Sequence, residues 1–199
     1  MRKIRKAVME RRTRETDIRV AIDVDGKGKA GIETPIGFLN HMLTLFAAHG
    51  LFDLKVKAKG DIEVDIHHTN EDIGICLGSA FRDALADKSG IMRFGFASVP
   101  MEEALVEVSL DLSGRPYLKF TVYSAQFTTI GKEYSLSYLK QFLQAFVNNA
   151  GITLHVEVLY GEDSHHIIEA VFKALGRALK EAVTRDPRIS GILSTKGIL

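Results

Sequence analysis

His165-His166-Ile167-Ile168-Glu169 repeats, far along the chain, the pattern of His67-His68-Thr69-Asn70-Glu71, and each run follows strand-like sequence and opens a long stretch of helical periodicity. Four of the seven histidines sit in these two places. On a helix, an imidazole and a carboxylate three or four positions on share one face, within reach of one divalent cation. One such cluster is as well explained by capping or packing. Two at matching positions are not, because burying two His pairs without partners costs polar desolvation twice. The recurrence predicts a duplicated chain with two metal sites, or one site built twice.

The duplication extends outward from these runs. Phe38-Leu39-Asn40-His41-Met42-Leu43 lines up with Tyr138-Leu139-Lys140-Gln141-Phe142-Leu143, which sets His41 opposite Gln141 and Glu15 opposite Glu103. In the first half, Ile18-Arg19-Val20-Ala21-Ile22-Asp23-Val24 alternates as a strand, and Asp25-Gly26-Lys27-Gly28 reads as the turn of a hairpin. Pro35 opens a helix through Leu39, Leu43 and Phe46 that Gly50 stops. Residues 52–57 read as a strand, Ile62-Glu63-Val64 as a second short one, and a helix runs from His67 to about Asp87. The second half repeats the order: alternation over 104–112, a turn at Ser113-Gly114, strands at 117–123 and 153–160, and a last helix from His165 through Ala182.

Each half must bury one sheet face beneath its helices. The predicted fold is therefore α+β, an internally duplicated two-layer sandwich, each half a mainly antiparallel sheet covered on one face by two helices. The helices are too few and the hairpins too many for a doubly wound parallel sheet. Residues 1–90 and 91–199 are the expected repeats, packed as one compact unit, with Lys88-Ser89-Gly90 near the junction and no polar linker between them.

A chain of 199 residues that is 46% hydrophobic buries a substantial core. The net charge of +1 exerts no general pull on nucleic acid or membrane, although Arg2, Lys3, Arg5, Lys6, Arg11, Arg12 and Arg14 make the start basic. An RNA-binding reading of that start lacks an aromatic–basic stacking motif. A single cysteine, Cys76, rules out internal disulfides, and no apolar segment of a secretory signal follows the basic start, which predicts a cytoplasmic protein. No apolar run approaches the roughly 18 residues of a membrane span. P-loop, GxGxxG, HExxH and GxSxG motifs are all missing, so nucleotide hydrolysis, nicotinamide chemistry, zinc proteolysis and serine hydrolysis lack their marks.

Imidazole and carboxylate donors without thiolates suit manganese, iron or zinc in a site open to substrate. His41 is either a further ligand from a facing element or a packing residue, His49 beside Gly50 reads as a possible cap, and His155 reads as structural. Arg93, Arg115, Lys173 and the run Ser194-Thr195-Lys196-Gly197 offer cations, hydroxyls and backbone donors for a phosphate, though each alone also suits a solvated surface. Metal-assisted chemistry on a small anionic substrate is the reading; a metal-storing or structural shell is its competitor.

Six segments in order carry a resemblance over nearly the whole chain: Arg12-Thr13-Arg14-Glu15-Thr16, Phe38-Leu39-Asn40-His41-Met42-Leu43, Asp65-Ile66-His67-His68-Thr69-Asn70-Glu71-Asp72, Leu110-Asp111-Leu112-Ser113-Gly114-Arg115-Pro116-Tyr117, Ser164-His165-His166-Ile167-Ile168-Glu169-Ala170 and Ser194-Thr195-Lys196-Gly197. The chain resembles the imidazoleglycerol-phosphate dehydratase family of histidine biosynthesis. The resemblance implies a fold like the second domain of a small-subunit ribosomal protein, two manganese ions per active site and a cage-like homo-oligomer of about 24 subunits with sites between them. The charge balance and the lack of an apolar span leave neither nucleic acid nor membrane as an expected partner, and with no room for the phosphatase domain fused to some members the chain reads as monofunctional.

The resemblance also assigns positions. His41, His67, His68, Glu71, His165, His166 and Glu169 fall on metal-ligand positions, and Gln141 stands where the remaining histidine ligand is expected. Glu15 and His49 line the substrate, as do the ligand positions His41, His67, Glu71, His165 and Glu169. Arg93, Arg115, Lys173, Ser194, Thr195 and Lys196 hold substrate, chiefly its phosphate. The expected reaction converts imidazole-glycerol phosphate to imidazole-acetol phosphate and water through an imidazolate and a diazafulvene. Glu15 is the expected proton shuttle, with Glu71 and Glu169 as carboxylates able to share the task.

Overall fold

The computed structural model describes residues 4–129 and 134–196. The first half runs β1 (Lys6–Arg12), β2 (Thr16–Asp23), β3 (Ala30–Glu33), α1 (Gly37–Gly50), β4 (Asp53–Gly60), α2 (Ile66–Leu85). The second runs β5 (Phe94–Met101), β6 (Ala104–Asp111), β7 (Tyr117–Val122), β8 (Ala125–Thr129), α3 (Leu136–Ala150), β9 (Thr153–Asp163), α4 (Ser164–Val183). Strand order is β1-β2-β4-β3 in one sheet and β5-β6-β9-β7 in the other, with β8 added on β9.

Both sheets are built the same way. Antiparallel pairs β1–β2 and β2–β4 are matched by β5–β6 and β6–β9, and the parallel pair β3–β4 by β7–β9. Parallel neighbours cannot be joined by a tight turn, so each such pair is bridged by a helix, α1 in the first half and α3 in the second. Alternation puts Ile18, Val20 and Ile22 of β2 and Val106, Val108 and Leu110 of β6 into the core.

The two halves meet through their helices. α2 covers β1 and β2, α1 covers β3, α4 covers β5 and β6, and α3 covers β7; between the layers α1 packs on α4 and α2 on α3. Each inner helix therefore buries two faces, which is why α4 hides Ile167, Ile168, Val171, Phe172, Leu175 and Leu179. Close approach is set by glycines: a Cβ on Gly74 of α2 would lie 2.8 Å from the Phe142 carbonyl oxygen of α3, and one on Gly176 of α4 2.7 Å from that of Phe46 in α1. No helix among the described residues is long and apolar enough to cross a membrane.

Three local expectations fail. Ile62-Glu63-Val64 is a turn whose side chains face solvent, not a strand. The turn after Asp23 does not close a hairpin, because β4 lies between β2 and β3; the hairpin of this half is β1–β2, turning at Thr13-Arg14-Glu15. Gly50 belongs to α1 rather than stopping it: Leu51, left-handed at φ 55°, caps the helix, and a Cβ at Gly50 would lie 2.4 Å from the Phe52 ring and 3.2 Å from the Gly176 carbonyl oxygen of α4.

Candidate active site

Both long helices that start with paired histidines are capped identically. The Asp65 carboxylate accepts from the His67 backbone N–H and the Asp163 carboxylate from that of His165, at 2.9 and 2.7 Å. Capping places His67 and His165 at the second helical position and His68 and His166 at the third, so the two imidazoles of each pair leave the helix in different directions. Their rings stand nearly perpendicular, at 87° and 80°.

His165 points toward α1. Its Nε2 lies 3.4 Å from an oxygen of buried Glu169, and His41 Nε2 approaches the same oxygen at 3.3 Å. The other Glu169 oxygen holds the Lys173 ammonium at 2.6 Å. Burial opposes ionisation of Glu169, but Lys173 and His41 outweigh it and leave its carboxyl below the usual range. The Phe38 ring stands edge-on to His165 at 5.0 Å. His49, in the last turn of α1, is held below the usual imidazole range by burial and by the positive charges of Lys173 and Arg177; the helix is capped by backbone at Leu51, not by His49.

The equivalent place between α2 and α3 holds His67, Glu71 and Gln141. His67 Nε2 lies 3.3 Å from Glu71, and its Nδ1 lies 2.8 Å from the Gln141 carboxamide oxygen.

The second histidine of each pair meets the tip of a hairpin. His68 Nδ1 lies 3.0 Å from Asp61 and 3.8 Å from Glu15 in the β1–β2 turn, and these carboxylates raise its pKa. His166 Nδ1 lies 2.7 Å from Glu103 at the β5–β6 turn. Glu103 also accepts from the Asp163 backbone N–H, which with His166 pulls its carboxyl down to about 2, while His166 is raised. The alignment of Glu15 with Glu103 is thus a spatial equivalence. Asp61 and Asp65 were not singled out in the sequence, and neither was Asp163. The shared Asp-x-His-His pattern was the available signal for the two caps, whereas Asp61 reaches His68 only through the fold.

Potential cation positions follow from donor chemistry. Ligand atoms of His41, His165 and Glu169 lie within 4.8 Å of one another, and so do those of Glu15, Asp61 and His68. Both groups mix imidazole nitrogen with carboxylate oxygen and carry no thiolate, a set that fits manganese or a similar divalent ion.

The phosphate candidates gather elsewhere. Arg93, Arg115, Ser194, Thr195 and Lys196, with Arg188, line a cavity of about 730 Å³ whose walls include none of the histidines. Arg93 adopts φ 70°, donates to both Asp111 oxygens at 2.7 and 3.0 Å and to the Leu193 carbonyl at 2.7 Å, which ties the C-terminal segment to the start of β5. Lys173 does not join this cavity, being engaged by Glu169. Gly197 lies outside the described residues. His155 is on the solvent face of β9, 5.9 Å from the Tyr117 ring.

A duplicated α+β sandwich with imidazole–carboxylate clusters at its helix starts and a cation-lined cavity beside its C-terminal segment has the build of an enzyme. The sequence profile of imidazoleglycerol-phosphate dehydratase matches residues 34–179. Over 98% of its length the chain is 59% identical to the imidazoleglycerol-phosphate dehydratase of Thermoanaerobacter pseudethanolicus, covering all of that protein, and 54% identical to that of Syntrophus aciditrophicus, covering 99% of it. The crystal structure of the Pyrococcus furiosus enzyme superposes with a TM-score of 0.82 at 40% identity, covering 96% of this chain and all of that one. That of the Staphylococcus aureus enzyme gives 0.78 at 37%, over 90% and 99%. The chain belongs to the imidazoleglycerol-phosphate dehydratase family, hydro-lyases of histidine biosynthesis.

Proposed function

We propose that the chain dehydrates imidazole-glycerol phosphate to imidazole-acetol phosphate in the cytoplasm, with two divalent cations, manganese by preference, at each site. The observation that carries the reading is the pair of donor groups whose ligand atoms converge within 4.8 Å. His41, His165 and Glu169 would hold one cation, and His68 with Asp61 another, with Glu15 beside them on its hairpin tip; His67, Glu71 and His166 fall on the family's remaining ligand positions. When bound, such ions supply positive charge that lowers the N–H pKa of an imidazole ring on them, the activation needed where no carbonyl acidifies the neighbouring carbon.

The chain's own groups do the rest. The cavity of Arg93, Arg115 and Lys196 holds the phosphate and so fixes the position of the ring. A carboxylate must move the carbon proton. Glu15, exposed on its hairpin tip, is the assigned shuttle, and Glu71 and Glu169 are the alternatives. Lys173 keeps Glu169 ionised. The cavity and the histidine clusters have no lining residue in common. That separation favours sites completed between copies; a cage of about 24 subunits is the assembly that the family resemblance leads us to expect.

The test is direct. Chelator-stripped protein is given manganese and imidazole-glycerol phosphate, and ketone product is followed. Turnover is expected only with the metal restored; full activity without it would refute the proposal. Glu15→Gln is expected to bind metal and substrate but lose turnover, and full turnover would remove Glu15 from its role.

A further inference from the structure

Gln141 and His41 occupy equivalent positions in the two repeats, yet they use different chemistry. His41 turns its Nε2 onto the Glu169 oxygen that His165 Nε2 also faces, at 3.3 and 3.4 Å, and so joins that triad as a third donor. Gln141 instead sits behind its neighbour: its carboxamide oxygen lies 2.8 Å from His67 Nδ1, while Glu71 approaches Nε2, the other ring nitrogen, at 3.3 Å. The two nitrogens of an imidazole point away from each other across the ring. A cation shared by His67 Nε2 and Glu71 is therefore on the far side from the carboxamide oxygen.

We propose that Gln141 is a positioning residue for His67: it accepts the hydrogen on Nδ1 and leaves the Nε2 lone pair facing Glu71, and it is not itself a donor to a cation. The proposal rests on the metal reading above. A neutral imidazole carries its hydrogen on one nitrogen or the other, and only the bare nitrogen binds a metal. An acceptor fixed at Nδ1 selects the tautomer that keeps Nε2 bare.

The surroundings hold that acceptor in place. Gln141 lies one turn after Tyr138 on the same face of α3. The Tyr138 hydroxyl donates to Asp65 at 2.9 Å, the residue that caps α2 beneath His67. Asn70 of α2 donates to the Tyr138 carbonyl oxygen at 2.9 Å. Gly74 admits the α3 backbone at Phe142, the residue after Gln141. The start of α2 is thus gripped by one face of α3, and Gln141 is the part of that grip that touches the ring.

Manganese affinity of the chelator-stripped full chain, measured by titration against a competing chelator, tests the assignment. Q141L is expected to weaken binding by about 10–100-fold, the usual cost of losing a partner behind a ligand. Gln141→Glu, which keeps an acceptor for the Nδ1 hydrogen, is expected to stay close to native and shows that the site tolerates substitution. In a His67→Ala background Q141L is expected to add nothing, since a residue acting through His67 has nothing left to act on. An equal loss with and without His67 would make the carboxamide a donor in its own right and overturn the proposal, as would native affinity in Q141L. Failure of the native chain to take up manganese would instead overturn the metal reading itself, and this assignment with it.

Discussion

Lys173 and Glu169 stand one turn apart on α4, with the ammonium 2.6 Å from one carboxylate oxygen and two histidines on the other. The carboxylate is only 8% exposed. Lys173 thus neutralises a charge that burial would otherwise drive toward protonation. Removing it alone, as Lys173→Met, is expected to raise the Glu169 pKa and destabilise the metal-free chain by about 3 kcal/mol, because a buried charge loses its partner. Adding Glu169→Gln should restore most of the loss. Urea unfolding of the single and double variants at neutral pH measures both.

Close helix contact carries a second prediction. Gly176→Ala would push α4 off the α1 backbone at Phe46. In an open helix the change would gain about 1 kcal/mol, but here the backbone cannot yield. A net loss of about 1–3 kcal/mol is expected, together with weaker manganese binding through His41 and Glu169. Thermal unfolding and metal titration report the two effects separately.

The Glu103–His166 pair sets a pH window. Glu103 is held down near 2 by the Asp163 backbone N–H and by His166, and His166 is raised by Glu103. Glu103 contributes stability above its unfolded pKa that is lost as pH falls toward 2. His166 contributes below its unfolded pKa, and that share is lost as pH rises through its raised value. Both shares are fully present between about pH 4.5 and 6.5. In chelator, Glu103→Gln is expected to lower the unfolding midpoint within this window and to flatten its decline on the acid and alkaline sides of it; an unchanged pH profile would contradict the coupling.

Phosphate anchoring separates binding from chemistry. Lys196→Ala is expected to raise KM by about 10–100-fold, the worth of one charge-assisted hydrogen bond of about 1.5–3 kcal/mol. Turnover at saturation should change little. Steady-state kinetics with imidazole-glycerol phosphate decides it, and a fall in kcat at unchanged KM would assign Lys196 a different part.

Much of this protein was legible in one dimension. The paired histidines and the glutamates beyond them meet because helix geometry is local, so an i, i+4 spacing is already a contact. The repeat of Phe38–Leu43 in Tyr138–Leu143 announced the duplication, and the alternation in β2, β4, β6 and β9 announced their buried faces. What stayed hidden depends on contacts far apart in the chain. β1 is an edge strand rich in charge, and β5 contains Gly95 and Pro100, so neither stood out as a strand. β4 inserts between β2 and β3 because a helix crossover, not a turn, joins β3 to it.

The sequence by itself determined the two half-folds, the helix starts and the kinds of donor each would carry, since periodicity and capping act over a few residues. Tertiary structure alone decided that α1 meets α4 and α2 meets α3. That docking gives Glu169 both His41 and His165, puts Gln141 behind His67, and turns Glu15 and Glu103 toward the second histidine of each pair. The physical reason is that these partners are brought together by burial of apolar helix faces, which fixes distances no spacing along the chain records.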